Sequence, residues 1–209
     1  MDNIFVRIPK NASRSIKYTG LFGYGNHETI SQMLQRAKRN IFTFCVCRNP
    51  YDRLLSAYKN GKDFCSHKQF PYFVEFDKYN SFEEFCHDEK NPFLYKYVIQ
   101  SNRNDIPAKR VQHIHFLSQS HWVVVDDKIM VNRVLQYEHL DVQWKQLLID
   151  LDLDHVDLPK HNKSDHLNWT KYYTSRIANI VYNYYEEDFI RFGYNRDSWR
   201  RDGKSIQYA

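Results

Sequence analysis

The sequence predicts an α/β fold: one domain over residues 1–209, with a central, mainly parallel sheet flanked by helices in three layers. Three observations lead there. The run Phe5-Val6-Arg7-Ile8 has strand character, breaks at Pro9-Lys10, passes through Asn11-Ala12-Ser13-Arg14-Ser15 and then turns helical, a P-loop-like strand-loop-helix. A second apolar run, Asn40 to Cys47, goes straight into Arg48-Asn49-Pro50, where Asn49 suits a helix cap and Pro50 the first helical position. At 209 residues, 42% of them hydrophobic, the chain is the size of one α/β domain with a substantial core.

The remaining elements follow along the chain. Thr29 and Gln32 form a capping-box pattern that opens a helix after the connection Gly23-Tyr24-Gly25-Asn26-His27-Glu28. Beyond Pro50, Tyr51, Leu54, Leu55 and Tyr58 recur at helical spacing, so one face packs inward while Arg48 and Ser56 project toward the carboxyl end of the strand. The aromatic stretch Phe70 to Phe76 reads either as an acceptor lid or as a satellite cluster packed under an irregular segment. Short helices are expected near Ser81 to Cys86 and Pro92 to Gln100, and strands at Trp122 to Val125 and Val131 to Tyr137, the latter delivering Glu138 to the sheet's carboxyl edge. A helix through Trp144 to Ile149 leads into the acidic, turn-rich stretch Asp150 to Lys160. Lys160 to Ser164 forms a loop, Thr174 to Phe189 a helix with Ile177, Val181 and Tyr184 inward, and Arg196, Arg200, Arg201 and Lys204 a basic tail. No internal repeat is present.

The chemistry this arrangement suits is anion binding. A strand-loop-helix presents backbone N–H groups and a lysine to a negatively charged group, and in an open α/β sheet ligands bind at the strands' carboxyl ends. A net charge of +5 fits anionic ligands generally. A nucleoside-triphosphate loop needs G-x-x-x-x-G-K-[ST]; here the lysine precedes the small residues and no glycine is present, which favours a phosphate or sulfate ester over ATP hydrolysis. A P-loop-like nucleotide kinase and a noncatalytic or degenerate nucleotide binder remain the alternatives. The kinase lacks its glycine-rich loop, and plain binding leaves the ordered pairing of Lys10 with Arg48 and Ser56 unexplained. Cys45, Cys47, Cys65 and Cys86 form neither a C-x-x-C redox pair nor a zinc pattern, and read as buried thiols, with a Cys65–Cys86 disulfide as the alternative. No metal site is expected.

Two motifs carry a family resemblance. Pro9-Lys10-Asn11-Ala12-Ser13-Arg14-Ser15 resembles the P-K-T-x-G-T-S loop of sulfotransferases, and Arg48 to Tyr58 resembles their R-[ND]-P-x-[DE]-R-L-x-S-x-Y motif. Further similarity lies at His115-Phe116-Leu117-Ser118-Gln119, Tyr137-Glu138-His139-Leu140, Asn162-Lys163-Ser164 and Asp188 to Tyr194, so it spans nearly the whole chain. The group most resembled is the carbohydrate sulfotransferases, which move a sulfuryl group from 3′-phosphoadenosine 5′-phosphosulfate to a sugar hydroxyl.

The resemblance implies a co-substrate and roles. Lys10 is the cation at the bridging oxygen. The backbone from Asn11 to Ser15, with the Ser13 and Ser15 hydroxyls, holds the 5′-phosphosulfate. Arg48 with Ser56 holds the 3′-phosphate, and Asn162 and Ser164 belong to a loop that closes over the nucleotide. Two positions depart from the family loop: Ser13 stands where glycine is usual and Arg14 where threonine is usual, so Arg14 either supplies a compensating charge or points into solvent. His27 is the first candidate for the base that takes the acceptor's proton, His115 the second, and Glu138 a third that orients more than it abstracts. The expected partner is a hydroxyl-bearing acceptor, a glycan by resemblance, with no nucleic acid and no membrane. The first strand starts almost at Met1 and no window approaches a transmembrane span, so a cytoplasmic location is expected.

Overall fold

The computed structural model describes residues 3–22, 27–36, 41–66, 76–89, 91, 113–159 and 169–200. The chain divides into two compact units, each assembled from two stretches: Met1–Asn49 with Ser118–Ser164, and Pro50–Leu117 with Asp165–Ala209.

The first unit is built on a parallel sheet. Strands β1 (Asn3–Val6) and β2 (Phe42–Cys47) pair in parallel, β2 pairs in parallel with a later strand, β5 (Arg133–Gln136), and the order is β1-β2-β5. The register Phe5↔Phe44 and Val46↔Leu135 places alternate apolar residues on one face, as the two-residue strand period requires. That face closes a core with Ile16 of helix α1 (Ser13–Tyr18) and with Leu140, Trp144, Leu147 and Leu148 of a later helix, α6 (Leu140–Asp150). Trp144 is 1% exposed, and its indole N–H donates to the Val156 carbonyl at 2.8 Å, so burial of the ring leaves no unpaired donor. Register at the β2–β5 seam is pinned by Asn132, whose Oδ1 accepts from Thr43 N at 2.8 Å and from Thr43 Oγ1 at 2.9 Å. Helix α2 (Ile30–Arg36) opens as the sequence predicts, with Gln32 N donating to Thr29 Oγ1 at 3.3 Å and Thr29 N to Gln32 Oε1 at 3.0 Å.

The second unit is helical. It holds α3 (Pro50–Ser66), α4 (Phe82–His87) and α7 (Ser175–Arg191) around an aromatic core. Tyr51, Leu54, Leu55 and Tyr58 are all buried on α3. Gly61 sits inside α3 because a Cβ there would come within 2.6 Å of the Phe76 ring, and Phe76 is 0% exposed. Helices α4 and α7 are capped by Ser81 and Thr174, which accept from Glu84 N at 3.1 Å and Ile177 N at 3.4 Å. Burial keeps the Tyr173 and Tyr185 phenols protonated by raising their pKa, and each donates inside the core, Tyr173 to the Tyr51 carbonyl at 2.6 Å and Tyr185 to the Phe116 carbonyl at 2.7 Å. Cys86 is a buried free thiol, which removes the disulfide alternative with Cys65.

Three expectations are corrected. Residues 122–125 are not one strand: Ser120–Val123 form helix α5, and only Val124–Val125 (β3) pair, antiparallel to Lys128–Ile129 (β4). Four apolar residues are too few for periodicity to separate helix from strand, and the turn at Asp126 and Asp127, both left-handed with φ of 46° and 60°, folds the hairpin. On α7 the inward tyrosine is Tyr185 rather than Tyr184: Ile177, Val181 and Tyr185 recur at four-residue helical spacing, while Tyr184 is only partly buried beside them. The strands and helices also end up to four residues from their predicted bounds, β1 stopping at Val6 and α6 starting at Leu140. Residues 70–75, 92–100, Lys160, Asn162, Ser164, Arg201 and Lys204 lie outside the described residues.

Candidate active site

All three carboxyl ends of the parallel sheet feed segments that carry predicted site residues: Pro9 to Ser15 after β1, Arg48-Asn49 after β2, and Tyr137-Glu138 after β5. The loop after β1 is sharply turned. Lys10 and Ala12 both take left-handed backbone conformations, φ 71° and 55°, at a cost of roughly 1–2 kcal/mol each for residues with a Cβ. Ser13 has no positive φ and begins α1, so glycine is not demanded at the position where the related loops carry it. Its hydroxyl donates to the Ile8 carbonyl at 3.0 Å, bracing the loop.

Asn11, between the two left-handed residues, offsets their strain. It is 0% exposed and its Nδ2 donates to the Val46 carbonyl at 2.7 Å and to Gln119 Oε1 at 2.6 Å, tying the loop to the end of β2. Its backbone N–H turns to the Ile8 carbonyl at 3.4 Å, so of the predicted cradle the α1 first turn, Ser13 to Ser15, is the part without an intrahelical acceptor. Pro9 is buried, Lys10, Ala12 and Ser15 are half-buried, and Arg14 is exposed.

Arg48 is 5% exposed and held from several sides. Its guanidinium lies over the Tyr137 ring, 4.2 Å from the centroid, and its Nη1 donates to the Lys10 carbonyl at 3.0 Å. Its backbone N–H donates to Gln119 Oε1 at 2.8 Å, and its carbonyl accepts from Gln119 Nε2 at 2.9 Å. Glu138 is exposed, yet its Oε1 accepts from Asn49 N at 2.7 Å and fixes the residue next to Arg48. The structure thus brings together the Lys10 loop, Arg48 and Glu138.

His27 lies beside the same strand end. Its Nδ1 is 2.8 Å from the Arg7 carbonyl, and because a carbonyl only accepts, Nδ1 carries the proton and the neutral ring's basic lone pair sits on Nε2. The ring packs edge-on to Trp122 at 5.9 Å. His115 and Ser56 belong to the second unit: the His115 carbonyl accepts from Arg53 Nη2 at 3.3 Å, and Ser56 is buried on α3. Cys45, on the strand that leads to Arg48, is 0% exposed and its pKa is pushed up by burial and by Cys47, so it remains a thiol and supplies no nucleophile.

Sequence reasoning missed the roles of Gln119 and Tyr137. Both fall inside stretches already singled out, yet neither carries a charge or a nucleophile to mark it. Its place at the end of the His115-Phe116-Leu117-Ser118-Gln119 stretch was the available signal for Gln119.

From Arg7 to Tyr18 the chain carries Arg7, Lys10, Arg14 and Lys17 and no carboxylate, a set suited to an anion. Among the described residues no group of three or more His, Cys, Asp or Glu residues is arranged to hold a metal ion, and no helix is long and apolar enough to cross a membrane. A family model described as the sulfotransferase family matches residues 3–195. No curated protein and no solved structure matches the chain.

Proposed function

The chain belongs to the sulfotransferase family, and from that premise we propose that it transfers a sulfuryl group from 3′-phosphoadenosine 5′-phosphosulfate to a carbohydrate hydroxyl, with His27 as the base. The observation that carries this reading is the 3.0 Å hydrogen bond from Arg48 Nη1 to the Lys10 carbonyl, which joins the two motifs at one edge of the parallel sheet. One family match running across both units supports treating residues 1–209 as one catalytic domain.

In the proposed step His27 Nε2 takes the acceptor hydroxyl proton as the oxygen attacks sulfur. The new O–S bond forms as the bond from sulfur to the bridging phosphate oxygen breaks, and the electron pair leaves on the 5′-phosphate. Lys10 offsets the charge that grows on that oxygen, and the α1 first-turn N–H groups hold the sulfuryl and phosphate oxygens. Arg48 binds the 3′-phosphate, stacked on Tyr137 so that little side-chain freedom is lost on binding. Ser56 joins that assignment on its motif position alone. A reaction of this kind asks for no metal, and the carbohydrate acceptor rests on the resemblance of the motifs.

The test is nucleotide binding by an Arg48→Ala variant. Loss of a charge-assisted contact predicts about 1.5–3 kcal/mol weaker binding of 3′-phosphoadenosine 5′-phosphate by calorimetry. Binding of adenosine 5′-phosphosulfate, which lacks the 3′-phosphate, should change little. Equal losses for both nucleotides would remove Arg48 from the 3′-phosphate.

A further inference from the structure

We infer that Gln119 is the positioning residue that sets Arg48 for the 3′-phosphate, an inference that rests on the function proposed above. Gln119 is 0% exposed, and one carboxamide meets three partners at the sheet edge. Oε1 accepts from Asn11 Nδ2 at 2.6 Å and from Arg48 N at 2.8 Å, while Nε2 donates to Arg48 O at 2.9 Å.

The two bonds to Arg48 act on both polar groups of one residue, as a neighbouring strand does within a ladder. The β1–β2 pairing ends at Val6↔Cys45 and the β2–β5 pairing at Cys47↔Gln136, so Arg48 lies past the last ladder residue on either side. Gln119 supplies the pairing that the strands no longer give. Through Asn11 the same oxygen is coupled to the turn in which Lys10 and Ala12 are left-handed. Arg48 and the β1 loop are therefore spaced by one buried side chain that itself carries no charge toward the nucleotide. Its own backbone is fixed in turn, since the Gln119 carbonyl accepts from Trp122 N at 3.0 Å to start α5.

A merely structural glutamine would affect melting alone; a positioning one changes discrimination for the 3′-phosphate. Gln119→Met keeps the length and removes all three bonds. The full chain carrying it should bind 3′-phosphoadenosine 5′-phosphate about tenfold more weakly, while adenosine 5′-phosphosulfate stays within about twofold. A folded Gln119→Met protein with the wild-type ratio of the two affinities would overturn the inference. Gln119→Glu gives an independent reading: ionised, it sets an oxygen against the Arg48 carbonyl, and protonated it regains a donor there. Its affinity for 3′-phosphoadenosine 5′-phosphate relative to wild type at the same pH should recover as pH falls, and a ratio that does not move with pH counts against the role. Equal affinity of the wild-type chain for the two nucleotides would instead sink the Arg48 assignment, and this inference with it.

Discussion

Lys10→Ala should lower kcat for sulfuryl transfer by about 10²–10³-fold while weakening binding of 3′-phosphoadenosine 5′-phosphate far less. The asymmetry follows from where charge appears. The bridging oxygen gains its negative charge only as the bond to sulfur breaks, so a cation beside it contributes more to the transition state than to the bound donor. Ground-state binding keeps other supports in the α1 first turn and in Arg48. The turn geometry is expected to survive, because Lys10 is held through its backbone: φ is 71° and its carbonyl accepts from Arg48. Single-turnover rates set beside calorimetric affinities read the split directly. If Lys10→Ala and Arg48→Ala lose affinity equally and kcat follows affinity, the division of labour between the two cations is wrong.

Removing the proposed base should be comparably severe. His27→Ala is expected to reduce kcat by about 10²–10⁴-fold with nucleotide affinity unchanged, the range for a positioned proton acceptor. The hydrogen bond from Nδ1 to the Arg7 carbonyl fixes the tautomer, so the neutral ring accepts at Nε2. A variant that keeps the rate would move the role to His115 or away from histidine altogether.

Much of the site was legible because its chemistry is local in sequence. The strand-loop-helix after β1 and the Arg-Asn-Pro turn after β2 both announce themselves by a strand ending at residues with marked backbone preferences. The parallel pairing of β1 with β2 then puts their carboxyl ends at one edge. The Thr29–Gln32 capping box was readable for the same reason, its two partners lying three residues apart. What escaped depends on long-range placement. Gln119 meets Asn11 across 108 residues and Arg48 across 71, and no local pattern in a single sequence records such pairings. Tyr137 reads as one more aromatic until the fold brings it under Arg48. The left-handed turn at Lys10 and Ala12 was hidden too, since neither is a glycine and the strain is tolerated only because Asn11 is buried and bonded beside them.

The proposed function rests first on the donor site at the edge of the parallel sheet.

Calorimetric titration of 3′-phosphoadenosine 5′-phosphate into the purified chain, with 5′-AMP and ATP plus magnesium as controls, tests that most directly. The account predicts micromolar binding that requires the 3′-phosphate and gains nothing from magnesium. Absence of binding, or a preference for ATP with magnesium, would contradict it.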